Sequence, residues 1–158
     1  MKKICLFVTI VFAFMSCNCQ KKVSDQTSSN TKETSMNQMT KLPKLEYVAN
    51  TRGFYQKISV ENQIVTVSSD RNGVGKGESV KISDADLNEL VSAFKLMKLD
   101  DLATYKDPTQ TRFYDGAAIA NLKVTDNGKE YKTTDFDHGF PPIEIEKLVN
   151  KIVSFCKK

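Results

Sequence analysis

The sequence has no tryptophan, a single histidine, four cysteines and four prolines in 158 residues. Each scarcity removes a class of chemistry. A Ser-His-Asp hydrolase would have to use His138, yet no G-x-S-x-G elbow accompanies it, and it lies in a turn, Asp135-Phe136-Asp137-His138-Gly139-Phe140-Pro141-Pro142. The cysteines offer neither a C-x-x-C pair nor a neighbouring base, which argues against a thiol nucleophile or a metal site. Like charges never run five deep, and the net charge of +4 falls to +2 if Lys2 and Lys3 are removed, so a nucleic-acid partner has no electrostatic basis. Only one long apolar run exists, Ile4 to Met15. At 1.5 Å per residue its roughly 12 residues reach about 18 Å, short of the ~30 Å hydrocarbon core that a retained helix must cross.

That run, led by Lys2 and Lys3 and followed by Ser16-Cys17, has the layout of a secretory signal with a lipoprotein cleavage point. Phe14 at −3 is too bulky for ordinary signal peptidase, whereas lipoprotein processing needs a small residue before the cysteine. Residues 1–16 are therefore predicted to be a signal peptide and Cys17 a lipidated residue, with palmitate among its chains. Two or more acyl chains anchor stably. A cleaved soluble form and an uncleaved anchor are the alternatives. Asn18 rather than Asp after the cysteine points to the outer membrane.

Gln20 to Lys44 is dominated by Ser, Thr, Asn, Gln and Lys, with too little apolar surface to offset ordering entropy. Residues 17–44 are predicted to be the lipidated cysteine and a disordered tether, with an r.m.s. reach of roughly 28 Å. Residues 45–158 then make one domain. Cys19 and Cys156 could bridge in an oxidising compartment; the simpler alternative is that Cys156 packs as a small apolar residue on the last helix.

From Leu45 the pattern becomes short strands broken by turn residues. Leu45 to Ala49 leads through Thr51-Arg52-Gly53 to a strand over Phe54 to Val60. Ile64 to Ser68 follows across Glu61-Asn62-Gln63, and a fourth strand is expected at Ser79 to Ile82. Phe54, Ile58 and Val60 share one face while Tyr55, Lys57 and Ser59 share the other, so the sheet has one wet side. Ser83 caps a helix predicted over Asp84 to Lys98, with Leu87, Leu90, Val91, Phe94 and Met97 at helical spacing. Asn127-Gly128 is the preferred type I′ pair, joining Ala117 to Thr125 with Glu130 to Phe136. Pro141-Pro142 is expected to form the first turn of a closing helix, whose stripe is Ile145, Leu148, Val149, Ile152 and Cys156. The expected fold is α+β: an antiparallel sheet of five to six strands with both helices on one face, in the order ββββαββα.

Two clusters invite functional readings. The stretch Asp70-Arg71-Asn72-Gly73-Val74-Gly75-Lys76-Gly77 fails as a phosphate loop, because Gly77 follows Lys76, and as a calcium loop, because Val74 and Lys81 occupy ligand positions; it reads as a solvated connector. The second hairpin, with paired numbers summing to 255, sets Ala118 opposite Asp137. That register brings Arg112, Phe113, Tyr114 and Asp115 beside Asp137, His138 and Phe140. Three interpretations stand open. Aromatic side chains among an arginine and carboxylates make a binding rim; Asp115, Asp137 and His138 could hold a divalent metal; or Phe113, Phe136 and Phe140 plug the core, Arg112 pairs with Asp137 and His138 caps the last helix.

The element order, with Arg52-Gly53-Phe54 near its start, Ser83-Asp84-Ala85-Asp86 opening a helix, Asp115 ahead of a strand, Asn127-Gly128 and Pro141-Pro142, resembles the emfourin family. That resemblance implies an inhibitor of secreted thermolysin-like metalloproteases. Arg52-Gly53 stands where the family has a Gly-Gly pair, and the Asp70 to Gly77 loop and lipid anchor are additions. Across its whole length the chain is similar to small lipoproteins of flavobacteria, within the Bacteroidota.

Together these features suggest a non-enzymatic binding module of the cell envelope, lipid-anchored to the membrane through Cys17 and needing no cofactor. Its expected partner is an envelope protein, captured or inhibited. The alternatives are a metal-assisted envelope enzyme and a structural lipoprotein of envelope assembly.

Overall fold

A computed structural model describes residues 42–157. The expected signal peptide, Cys17, Cys19 and the tether up to residue 41 lie outside the described residues. Among the described residues seven strands and two α-helices follow one another: β1 (Lys44–Thr51), β2 (Phe54–Glu61), β3 (Ile64–Ser68), β4 (Glu78–Lys81), α1 (Asp84–Phe94), β5 (Ile119–Asp126), β6 (Lys129–Lys132), β7 (Phe136–Asp137) and α2 (Glu146–Ser154). All pairings are antiparallel, in the spatial order β4-β3-β2-β1-β5-β6, with β7 also paired to β5. This is the expected α+β architecture with one further short strand.

Tight turns fix the register. Thr51 pairs with Phe54 across Arg52-Gly53, where Gly53 has φ +84°. Asn62 (φ 49°) and Gln63 (φ 64°) close β2 to β3 in two residues, and Asn127 (φ 49°) and Gly128 (φ 82°) do the same for β5 and β6. Both pairs have the left-handed conformation that a type I′ turn demands. Asn127-Gly128 suits it by composition, whereas Gln63 adopts it against the clash between its Cβ and the backbone.

Alternation then sorts the strands into faces. Leu45, Tyr47, Ile58, Leu122, Val124 and Phe136 are fully or almost fully buried on one face, beneath Leu90 of α1 and Leu148, Val149 and Ile152 of α2. Ile58 and Val60 are buried as expected, but Phe54, at the strand's end, is 37% exposed. Ser83 caps α1: its hydroxyl accepts from Asp86 N (3.1 Å) and donates to Asp86 Oδ2 (2.8 Å).

Three expectations need correction. Helix α1 stops at Phe94 rather than Lys98, because the chain tightens into turns and the Tyr105 hydroxyl, accepting from Lys98 N (3.0 Å) and donating to Lys98 O (3.2 Å), takes both groups that would continue it. Met97 still reaches the core from that turn. The two prolines are buried but precede α2, which begins at Glu146 after a turn in which Ile145 N donates to Pro142 O (3.1 Å).

The third concerns the hairpin register. Pairing sums to 255 from Asp126–Lys129 through Lys123–Lys132, but Ile119, not Ala118, faces Asp137. Leu122 N donates to the hydroxyl of Thr133 (3.1 Å), and Thr133 N donates to Leu122 O (3.0 Å). Thr134 and Asp135 therefore both oppose Asn121, whose side-chain amide holds Asp135 at 3.1 Å. One extra residue on one strand is a β-bulge. It delivers Phe136 to the core face and Asp137 to the other.

Two changes test this account by urea denaturation. Phe136→Ala should cost about 3–5 kcal/mol through the cavity it leaves. Gln63→Gly, which creates an Asn-Gly turn, should raise stability by about 0.5–1 kcal/mol; a loss of stability would refute the strain at Gln63.

Candidate functional site

The residues read as a rim do come together around β7, but they divide by role. Asp137 has no solvent exposure, and its carboxylate is filled by donors from one turn. Oδ2 accepts from the Thr109 hydroxyl (2.7 Å), Thr111 N (2.6 Å) and the Thr111 hydroxyl (2.6 Å), while Oδ1 accepts from Arg112 N (3.2 Å) and Nη1 (3.0 Å). The Arg112 guanidinium also donates to Thr109 O (3.1 Å) and pairs with Asp107 at 2.7 Å. Burial opposes the charge on Asp137, but the hydrogen bonds from Thr111, Thr109 and Arg112 outweigh it and hold the carboxyl well below its ordinary range. Asp137 is an internal post for the 107–112 segment, and Arg112 its clamp.

That post sets the aromatics above it. Thr111–Tyr114 is a single 3₁₀ turn, closed by Asp115 in the left-handed region (φ 57°) and by Gly116 N donating to Thr111 O (2.9 Å). Phe113 and Tyr114 are thrown outward, 67% and 88% exposed, with the Arg112 guanidinium 4.5 Å from the Phe113 ring centre. On the other side Phe140 N donates to Asp137 O (2.9 Å) across Gly139 (φ 92°), leaving Phe140 54% exposed. Of the three phenylalanines that could have plugged the core, only Phe136 does so.

His138 faces away from Asp137. Its Nδ1 lies 2.8 Å from the hydroxyl of fully buried Tyr47, and its ring is 5.6 Å from that of Phe54. Burial lowers the imidazole's affinity for a proton below the ordinary 6.5 and pushes the Tyr47 hydroxyl up. His138 N donates to Ala118 O (2.9 Å), so the residue extends the sheet and does not cap α2. With Asp115 exposed on its turn, Asp137 saturated and His138 turned to Tyr47, the trio suggested for a metal is not brought together. Among the described residues no group of three or more His, Cys, Asp or Glu is placed to hold an ion.

The other candidates are likewise occupied by the fold. Asp70 accepts from Asn72 N (2.8 Å) and Gly75 N (2.6 Å), which closes the glycine-rich loop on itself and lowers the carboxyl's proton affinity. Cys156 is half-buried, and burial raises its thiol, the opposite of an activated nucleophile. Sequence reasoning missed Asp107, Thr109 and Thr111, whose only signal was a cluster of hydrogen-bonding side chains after Asp107-Pro108. It also missed Glu46, on the face away from the helices but only 7% exposed, held between Lys57 (2.8 Å) and Lys123 (2.7 Å). Burial again opposes the charge, and the two lysines overcome it to hold the carboxyl at about 2.

A folded group with lowered proton affinity loses protons to the unfolded chain as pH falls, so each of these groups makes folding weaker in acid. For His138 the loss starts below about 6.5, and for Glu46 it runs from 4.5 toward about 2. His138→Gln should flatten the stability curve between pH 6.5 and the lower pKa of the folded imidazole, and Glu46→Gln should flatten its lower limb, as read from urea midpoints against pH. Asp137→Ala should cost about 3–5 kcal/mol at neutral pH by leaving the Thr109 and Thr111 hydroxyls and the Thr111 and Arg112 amides without their acceptor and Arg112 with Asp107 alone. Comparison with protein-family models, curated proteins and solved structures finds no match to the chain.

Proposed function

We propose that this chain is a lipid-anchored, non-enzymatic binding module of the cell envelope, held at the outer membrane through Cys17, with Phe113, Tyr114 and Phe140 as its protein-contacting side chains. The observation that carries this reading is that three large aromatics stand in solvent around one buried, saturated carboxylate. Interfaces draw most of their affinity from rigid aromatic and arginine side chains, and a surface whose backbone is already fixed loses little entropy on docking. Arg112 and Asp137 belong to the frame, so the contact surface is narrower than the rim read from the sequence.

Position supports the same reading. The described chain enters β1 at Lys44, while the rim lies beyond Thr51, where Asn50 pairs with Ile119 and Ile119 with Asp137. Seven steps of about 3.3 Å put roughly 23 Å between the two ends. The point where the described chain enters β1 and the rim therefore lie at opposite ends of the sheet. No described helix is long and apolar enough to cross a membrane. A captured or inhibited envelope protease fits this surface, as does a subunit of an envelope assembly.

A photo-crosslinking residue placed at Tyr114 in intact cells should give one discrete adduct, weakened at least tenfold by Phe113→Ala and Phe140→Ala with thermal stability unchanged. An adduct indifferent to both replacements, or none at all, would remove the rim as a contact surface. Cys17→Ser should move the chain from the membrane to the soluble fraction; unaltered membrane recovery would refute the lipid anchor.

A further inference from the structure

The two free edges of the sheet differ. β6 carries Lys129 and Lys132 and runs into the bulge, features that discourage another strand from pairing. At the opposite edge lies β4, four exposed residues that among the described residues have β3 on one side and no strand on the other. Ile82 N donates to Gln63 O (2.8 Å), and the same register pairs Val65 with Val80 and Val67 with Glu78. Alternation then turns the peptide groups of Glu78, Val80 and Ile82 toward β3 and sends those of Ser79 and Lys81 outward.

The layer of helices stops short of this strip. Val80, on the core-side face opposite buried Val65, is 67% exposed beside a trough of about 220 Å³ that Val65, Val67, Ile82 and Phe155 line together with the charged Glu78, Lys81 and Asp86. An outward-facing backbone edge and a trough with an apolar floor and charged margins therefore share one side of one strand.

We propose that β4 is a strand-addition site for an extended segment of a partner protein, with a large apolar residue opposite Val80 and a basic residue opposite Glu78. A strand added beside β4 bonds to Ser79 and Lys81, so its residue opposite Val80 forms a close, non-hydrogen-bonded pair and points over the trough. Glu78 lies two residues before Val80 on the same face and attracts a cation there. Lys81, on the other face, attracts an acid. A second copy fits worse: pairing β4 with its equivalent offers only another Val80, and four residues bury far less than the ~1,200 Å² of a stable interface. The chain's own residues 20–41 offer only Val23, Met36 and Met39 as apolar side chains.

The probe is the capped hexapeptide Thr-Glu-Leu-Thr-Arg-Thr, titrated into the ¹⁵N-labelled full chain. Shifts should centre on Ser79 to Lys81, and exchange of the Ser79 and Lys81 amides should slow at least tenfold at saturation. Replacing the peptide's leucine by serine, or Val80→Glu in the protein, should each weaken binding at least tenfold. Ser79→Pro removes an outward N–H and should abolish binding, with an unchanged Thr111 amide signal reporting that the fold persists. The proposal is overturned if millimolar peptide shifts nothing, or if both amides exchange slowly without it. Slow exchange that depends on protein concentration would assign the edge to a second copy, and concentration-independent slow exchange to the chain itself.

Discussion

A carboxylate with no access to water, Asp137, organises the part of this molecule that has the least regular structure. The segment from Asp107 to Gly116 contains one 3₁₀ turn and no strand, yet five hydrogen bonds tie it to Asp137. A buried ion is costly unless its lone pairs are filled, and here two backbone amides, two hydroxyls and a guanidinium fill them. Removing any one donor leaves the charge partly stranded, so the post and its turn form a single unit. Whatever the exposed aromatics contact, the geometry of that contact is set from inside.

The sheet supplies the post's position through a second constraint. Thr133 lends its hydroxyl where a carbonyl would ordinarily accept, the strand gains a residue, and side-chain parity changes between β6 and β7. Phe136 and Asp137 thereby enter opposite sides of the same layer, one into hydrocarbon and one beneath the threonine turn. On the wet face Glu46 is handled in the same way, with two lysines in place of the turn.

Much of the architecture was legible because it is written in local chemistry. Asn127-Gly128 announces its turn, Ser83 its cap, and the alternation of Ile58 and Val60 with Lys57 and Ser59 their face. What was illegible depends on residues distant in sequence or on atoms that look interchangeable. Nothing near Lys98 warns that Tyr105 will take its N–H and C=O and end the helix, and a threonine at 133 resembles any strand threonine. The hairpin pattern brought the rim residues to one end of the strands, but it could not separate the buried members from the exposed ones. Asp137 looks like a surface carboxylate until Thr109 and Thr111 are seen folded over it. The metal trio failed for the related reason that consecutive residues in extended chain point to opposite sides.

The bulge at Thr134 and Asp135 has a consequence for how this chain can vary in length. Removing one of the two would only restore regular pairing, with Phe136 still opposite Ala120, but removing both would set Asp137 opposite Ala120 and exchange the two neighbours downstream, driving an anion into the oily interior and an aromatic ring out onto the surface. The glycine-rich connector between β3 and β4 carries no such arithmetic across its solvent-exposed crest. Between Lys132 and Phe136 the spacing can shorten by one residue and no more, whichever amino acids fill it.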